Sequence, residues 1–127
     1  LKKRTEKKKQ AGAKFLQTQM IMDKKYLTTF CQEITRPMNL PVLAGVFLLK
    51  SYKNALFINN YVPGANIPDQ ILNRLKEAKN PLEEGIHIAS EQVRDFIDIA
   101  EGVHIMAVKS EHLIPEIIKR AGLTLEY

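Results

Sequence analysis

Two glutamines, Gln17 and Gln19, carry the chemistry this chain offers most plainly. They lie in Phe15-Leu16-Gln17-Thr18-Gln19, a short segment that reads as a β-strand. Alternation along a strand puts Gln17 and Gln19 on one face and Thr18 on the other. A side-chain amide presents a donor and an acceptor together, which suits a heterocycle with adjacent N–H and C=O groups. A pair of amides satisfied inside the protein, with no ligand, accounts for the same residues equally well.

A second candidate is charge. The chain has 127 residues and a net charge of +5. Seven of its 19 basic residues, but only one of its 14 acidic ones, fall within residues 1–14. That segment carries +6 and the remainder −1. Lys2, Lys3, Arg4, Lys7, Lys8, Lys9 and Lys14 therefore make one basic element, not a basic domain. Such a run is either a solvated helix face or a contact for an anion such as a phosphate or nucleotide. Nucleic acid is disfavoured, because no aromatic residue is interleaved before Phe15.

The remaining reactive side chains point elsewhere. His87, His104 and His112 share no metal-ligand spacing with each other, a thiol or carboxylates, so no metal site is expected. His104 falls inside an apolar strand and reads as a core or hydrogen-bonded histidine. Cys31 lies on the apolar face of a helix and reads as packing. As the only cysteine it can form no internal disulfide, which fits a reducing compartment and a cytoplasmic location. No glycine-rich phosphate loop appears. Apolar stretches are far shorter than the roughly 20 residues that span a membrane. The charged N-terminus carries no signal-peptide pattern.

The elements that must position these residues follow from periodicity. Residues 1–11 read as a helix closed by Gly12, and nothing before Leu1 signals a helix start. After strand 15–19, Asp23 caps a helix with the apolar face Leu27, Phe30, Cys31 and Ile34, stopped at Thr35-Arg36-Pro37. Pro41 opens a second strand to Phe47. Ser51 caps a helix from Tyr52 to Tyr61, and Pro63-Gly64 makes a turn. Pro68 and Asp69 begin a helix with Ile71, Leu72 and Leu75 inward. A longer helix starts at Pro81, with Ala89, Val93, Phe96, Ile97 and Ala100 as its core face. Gly102 ends it. The third strand is Val103–Val108, and a final helix opens at Ser110 and Glu111, with Leu113, Ile114, Ile117, Ile118 and Ala121 inward.

Short apolar strands separated by helices are the signature of buried parallel strands. The fold class is α/β. The pattern fits a layered parallel sheet or an arc of a (β/α)8 TIM-type barrel. Three strands leave two naked edges, and a complete barrel needs about 250 residues. The expectation is a partial barrel of three parallel strands with intervening helices. In such folds function sits at the strand ends, here Gln19, Lys50-Ser51 and Lys109-Ser110.

The string Ala11-Gly12-Ala13-Lys14-Phe15-Leu16-Gln17-Thr18-Gln19 with Asp23 resembles the methylenetetrahydrofolate reductase family. Pro41-Val42-Leu43-Ala44-Gly45-Val46 with Lys50-Ser51, Asn59-Asn60, Val62-Pro63-Gly64 with Ile67-Pro68, Gly85-Ile86, and Gly102-Val103-His104-Ile105-Met106 continue it in order. The resemblance covers essentially the whole chain. It implies a flavin-containing (β/α)8 barrel, cytoplasmic and usually oligomeric, in which residues 1–127 form the C-terminal half and the N-terminal half is absent. The family's reaction passes a hydride from a reduced nicotinamide to FAD and on to methylenetetrahydrofolate, giving the 5-methyl form. Such an enzyme belongs to one-carbon metabolism and methionine biosynthesis.

Carried over residue by residue, the resemblance makes Gln19 the pterin contact and Lys8 a flavin contact. Lys7 and Arg4 stand where the family places further flavin-contacting side chains. Tyr26 lies one residue nearer the glutamine than a substrate-contacting tyrosine. Where the family has an arginine for the folate tail this chain has Ser110, and the adjacent Lys109 substitutes as a point charge instead of a bidentate fork. A stacking aromatic of the family falls at about Asn59, with Tyr52 as a stand-in from another turn. The glutamate proton donor and the flavin-side aspartate have no match, so no catalytic residue is assigned and this segment alone is expected to be inactive. The alternative is a non-catalytic binding or assembly half-barrel that needs a partner half.

Overall fold

The computed structural model describes residues 2–12 and 14–123, apart from the side chain of Lys2. Ala13, a link in the first family-like string, lies outside the described residues. Helix α1 (Lys2–Gln10) leads to strand β1 (Leu16–Met20), helix α2 (Lys24–Phe30) and strand β2 (Val42–Phe47). Three helices follow, α3 (Tyr52–Tyr61), α4 (Asp69–Glu77) and α5 (Pro81–Ile97). Strand β3 (Gly102–Met106) and helix α6 (Ile114–Arg120) complete the order.

The capping residues explain the helix starts. Asp23 accepts the Lys25 amide at 2.9 Å, Ser51 Oγ accepts that of Asn54 at 3.0 Å, and Asn80 Oδ1 accepts that of Glu83 at 3.2 Å. Each satisfies a donor that the first helical turn leaves over. Gly12, Gly64 and Gly122 adopt positive φ of 101°, 81° and 82° after the segments they terminate, a conformation that costs glycine little.

The three strands form one parallel sheet in the order β1-β2-β3. One face is closed. Leu16, Val42, Ala44 and Val46 pack with Val103 and Ile105 against Leu27, Phe30, Cys31, Ile86, Ala89, Val93, Phe96, Ile117 and Ala121 of the helices. A second cluster lies beneath α3 and α4, where Ala55, Ile58, Leu72 and Leu75 meet Leu49, Ile67 and Ile88. On the opposite sheet face, Leu43, Phe47, His104 and Met106 are only partly buried, and Phe47 packs against the second cluster.

The structure departs from the sequence expectations at definite places. The strands are Leu16–Met20, Val42–Phe47 and Gly102–Met106, shifted by one or two residues. The long helix ends at Ile97, and Gly102 opens β3 instead of closing the helix. Ile97 is exposed, not a core residue, because the helix ends there and Phe96 and Ala100 fill the inward positions. After Phe30 the chain takes a π-helical turn, Cys31–Thr35, in which the Arg36 amide donates to the Cys31 carbonyl at 2.9 Å. The last helix begins with a 3-10 turn, Glu111–Leu113. No helix among the described residues is long and apolar enough to cross a membrane.

Candidate functional site

The site is built around an irregularity in β1. Leu16 pairs with Val42 and Gln17 with Leu43, but Met20 pairs with Gly45. β1 therefore uses one more residue than β2 over this stretch, which is a bulge. Thr18 and Gln19 share the place of one. The Thr18 hydroxyl accepts the Gly45 amide at 2.9 Å and donates to the Gln19 carbonyl at 2.7 Å. A Cβ on residue 45 would lie 2.6 Å from the Gln19 carbonyl oxygen and 2.8 Å from that of Thr18. The bulge closes only because Gly45 has no side chain.

A cavity of about 860 Å³ runs along this strand. Gln17, Thr18 and Gln19 line it from β1, Arg4 and Lys8 from α1, Asp23 and Tyr26 from the start of α2, and Pro63, Gly64 and Asn66 from the α3–α4 loop. Gly64 stands close to the Gln19 amide; a Cβ there would sit 3.4 Å from Oε1. The loop is tethered by Asn59, whose Oδ1 accepts the Ile67 amide at 2.9 Å. Tyr26 is half exposed, its ring parallel to Phe30 with centroids 6.4 Å apart.

The electrostatics divide the arginines into two kinds. Arg74 of α4 bridges Glu84 at 2.6 Å and Glu91 at 2.7 Å, and Arg120 bridges Glu83 at 2.5 Å and Glu116 at 2.8 Å. The hydrogen bond from Arg120 holds the Glu116 carboxyl below its ordinary value. Arg4 and Lys8 make no such pair among the described residues, although both face the cavity. They lie four residues apart on one helix, so they share a face. Two uncommitted cations beside two amides and a tyrosine fit a group that carries phosphate at one end and a heterocycle at the other. A flavin dinucleotide is a group of that kind.

Of the residues singled out from sequence, Gln19, Tyr26, Lys8 and Arg4 come together on this cavity. Lys7 does not line it; it is an exposed residue on the same helix. Lys109 lies after β3, at the far edge of the sheet, exposed and with φ of 60°. Beside it the Lys50 ammonium donates to the Val108 carbonyl. Tyr52 packs into the second apolar cluster beneath the Lys76 ammonium, away from the cavity. Asn59 serves as the loop tether. His104 is half-buried in β3 across from Gly45. Cys31 is fully buried, and burial pushes its thiol above the ordinary value, as expected of packing and not of a nucleophile. No group of three or more metal-ligating side chains gathers among the described residues.

Sequence reasoning misses three contributors. Alternation places Thr18 only on the face opposite the glutamines, and its bridging hydroxyl depends on the bulge. Thr5, buried on the cavity wall, sits within the lysine run and is hidden by it. The Pro63-Gly64 turn is legible, but its place against Gln19 depends on how α3 packs.

The family model for methylenetetrahydrofolate reductase matches residues 2–122. Comparison with curated protein sequences yields no significant match. The matched span takes in all three strands, the bulge and every wall of the cavity, and the chain therefore belongs to the methylenetetrahydrofolate reductase family.

Proposed function

We propose that this chain is the C-terminal half of a flavin-dependent (β/α)8 barrel that reduces methylenetetrahydrofolate, or a related pterin, to the 5-methyl form. The observation that carries the reading is the convergence of Gln19, Tyr26, Arg4 and Lys8 on one cavity in a chain matched over residues 2–122 to that family. Gln19 offers its amide to the pterin, and Tyr26 flanks the same space. Arg4 and Lys8 face the flavin's phosphates. Lys109, at the far edge of the sheet, is left for the anionic folate tail. When bound, FAD supplies the two-electron chemistry, with a reduced nicotinamide or another donor as its source. The residues of this chain bind and orient. The proton donor belongs to the N-terminal half.

The reading is tested in the full-length protein. It should retain FAD, visible as yellow colour; a colourless protein indifferent to added FAD contradicts the reading. Gln19→Ala should weaken binding of 5-methyltetrahydrofolate by about 1–3 kcal/mol, the cost of removing one partner of a buried hydrogen bond, while FAD occupancy stays as it was. Arg4→Ala and Lys8→Ala should do the reverse. Equal loss of both ligands in Gln19→Ala reassigns that residue.

A second reading is favoured by the sheet itself. β1 and β3 are both edge strands, and edges of this kind recruit partners. In that reading the chain is a non-catalytic assembly module that closes against an N-terminal half or a second copy. Folate binding by the sedimented complex of the chain with that half separates the two, because the assembly reading requires a stable complex that binds no folate. Both readings expect a cytoplasmic, oligomeric protein.

A further inference from the structure

The bulge in β1 has a cause and an effect that can be separated experimentally. A bulge inserts a residue, re-aims a side chain and disturbs the ladder locally. Here the disturbed ladder is repaired by a side chain. The Gly45 amide, a donor of the central strand, finds the Thr18 hydroxyl at 2.9 Å. That hydroxyl directs its own proton to the Gln19 carbonyl at 2.7 Å. One hydroxyl thus bonds both strands and holds the backbone of the residue whose amide enters the cavity. The space above Gly45 admits the two bulge carbonyls at 2.6 and 2.8 Å from where a Cβ would stand. Gly64 faces the Gln19 side chain, where an added Cβ would stand 3.4 Å from Oε1.

We infer that Thr18 is a positioning residue, and that its hydroxyl, seated on the side-chain-free Gly45, aims Gln19 at the bound pterin. The inference rests on the reading that Gln19 contacts that ring, and deepens it. Thr18 touches no ligand in this account; it acts through Gln19. Valine matches threonine in shape but has no hydroxyl, so Thr18→Val leaves the Gly45 amide without its acceptor and the Gln19 carbonyl without its donor. Serine keeps the hydroxyl and should restore both.

The test is a double-mutant cycle in the full-length protein, read as the dissociation constant for 5-methyltetrahydrofolate, with FAD absorbance and thermal midpoint recorded for each variant. Thr18→Val should weaken binding roughly tenfold, Thr18→Ser by less than about threefold, and FAD occupancy should be unchanged in both. In a Gln19→Ala background Thr18→Val should have almost no further effect, because coupled residues are not additive. Equal weakening by Thr18→Val with and without the Gln19 amide overturns the positioning role. Unaltered binding in Gln19→Ala itself overturns the pterin contact, a distinct outcome that removes the positioning role with it. Should Thr18→Val fail to fold, the cycle is run with Thr18→Ala and Thr18→Ser, where loss in alanine without recovery in serine counts against the proposal.

Discussion

Two glycines in this molecule are crowded in opposite ways. Gly85 in α5 lies against the Leu49 carbonyl, where a Cβ would stand only 1.8 Å from the oxygen. Its neighbours Ile86, Ile88, Ala89 and Val93 are all buried, and the close approach seals the apolar face of the sheet. Gly45 in β2 is crowded by the carbonyls of Thr18 and Gln19, and there the approach makes room for a bulge that carries polar side chains into a cavity. The same absence of a side chain closes the core at one place and shapes a site at the other. Apolar packing dominates on the α5 side, and hydrogen bonds and uncommitted charge dominate along β1.

Substitutions sharpen that contrast when stability and ligand binding are measured side by side. Phe96→Ala should have the largest effect on stability. Phe96 is almost fully buried in the main cluster, and the expected loss is about 3–5 kcal/mol in denaturant unfolding. Gly85→Ala comes next, at about 2–3 kcal/mol. Alanine is the better helix former by about 1 kcal/mol, so a net loss of this size reports a collision with Leu49 that outweighs that gain, and a gain in stability would mean that α5 does not approach the Leu49 carbonyl so closely. Gln19→Ala should change stability by less than about 0.5 kcal/mol, as an exposed substitution does. If Gln19→Ala destabilised the fold as Gly85→Ala does, the two regions would not be distinct.

Effects on stability between those of Gly85→Ala and Gln19→Ala belong to the outer helices. Arg74→Ala removes two partly exposed ion pairs to α5 and should cost about 0.5–1 kcal/mol, declining with added salt. The Glu116 carboxyl, held low chiefly by its hydrogen bond from Arg120, contributes in the same small way. A carboxyl with a depressed folded-state value adds stability above its unfolded value and loses it as the pH falls through the folded one. Glu116→Gln should therefore flatten a shallow loss of stability on the acid side and leave neutral pH nearly unchanged.

Much of the scaffold is legible in the sequence, because its signals are local. Asp23, Ser51 and Pro81 announce helix starts through their own backbone chemistry, and Asp23 and Ser51 cap as their type predicts. Apolar spacing identifies three strands and the inward faces of α2, α5 and α6. The bulge is not legible. Strict alternation cannot register an inserted residue, which exists only relative to the partner strand. Nor can the sequence place Lys109 at the far edge of the sheet, tie Asn59 to Ile67, or turn Ile97 outward, since each depends on packing between distant segments. The resemblance names Gln19 and Lys8, but that they share a cavity with Tyr26 and Arg4 is a property of the folded chain.

The central claim is that the amide of Gln19 reads the pterin ring from the bulge of β1. A crystal structure of the full-length protein with FAD and 5-methyltetrahydrofolate tests it most directly. The account predicts the pteridine ring within hydrogen-bonding distance of the Gln19 amide, roughly 2.7–3.2 Å, with Thr18 still bridging Gly45 and the Gln19 carbonyl. A pteridine bound elsewhere, with Gln19 facing only solvent or protein, would contradict it.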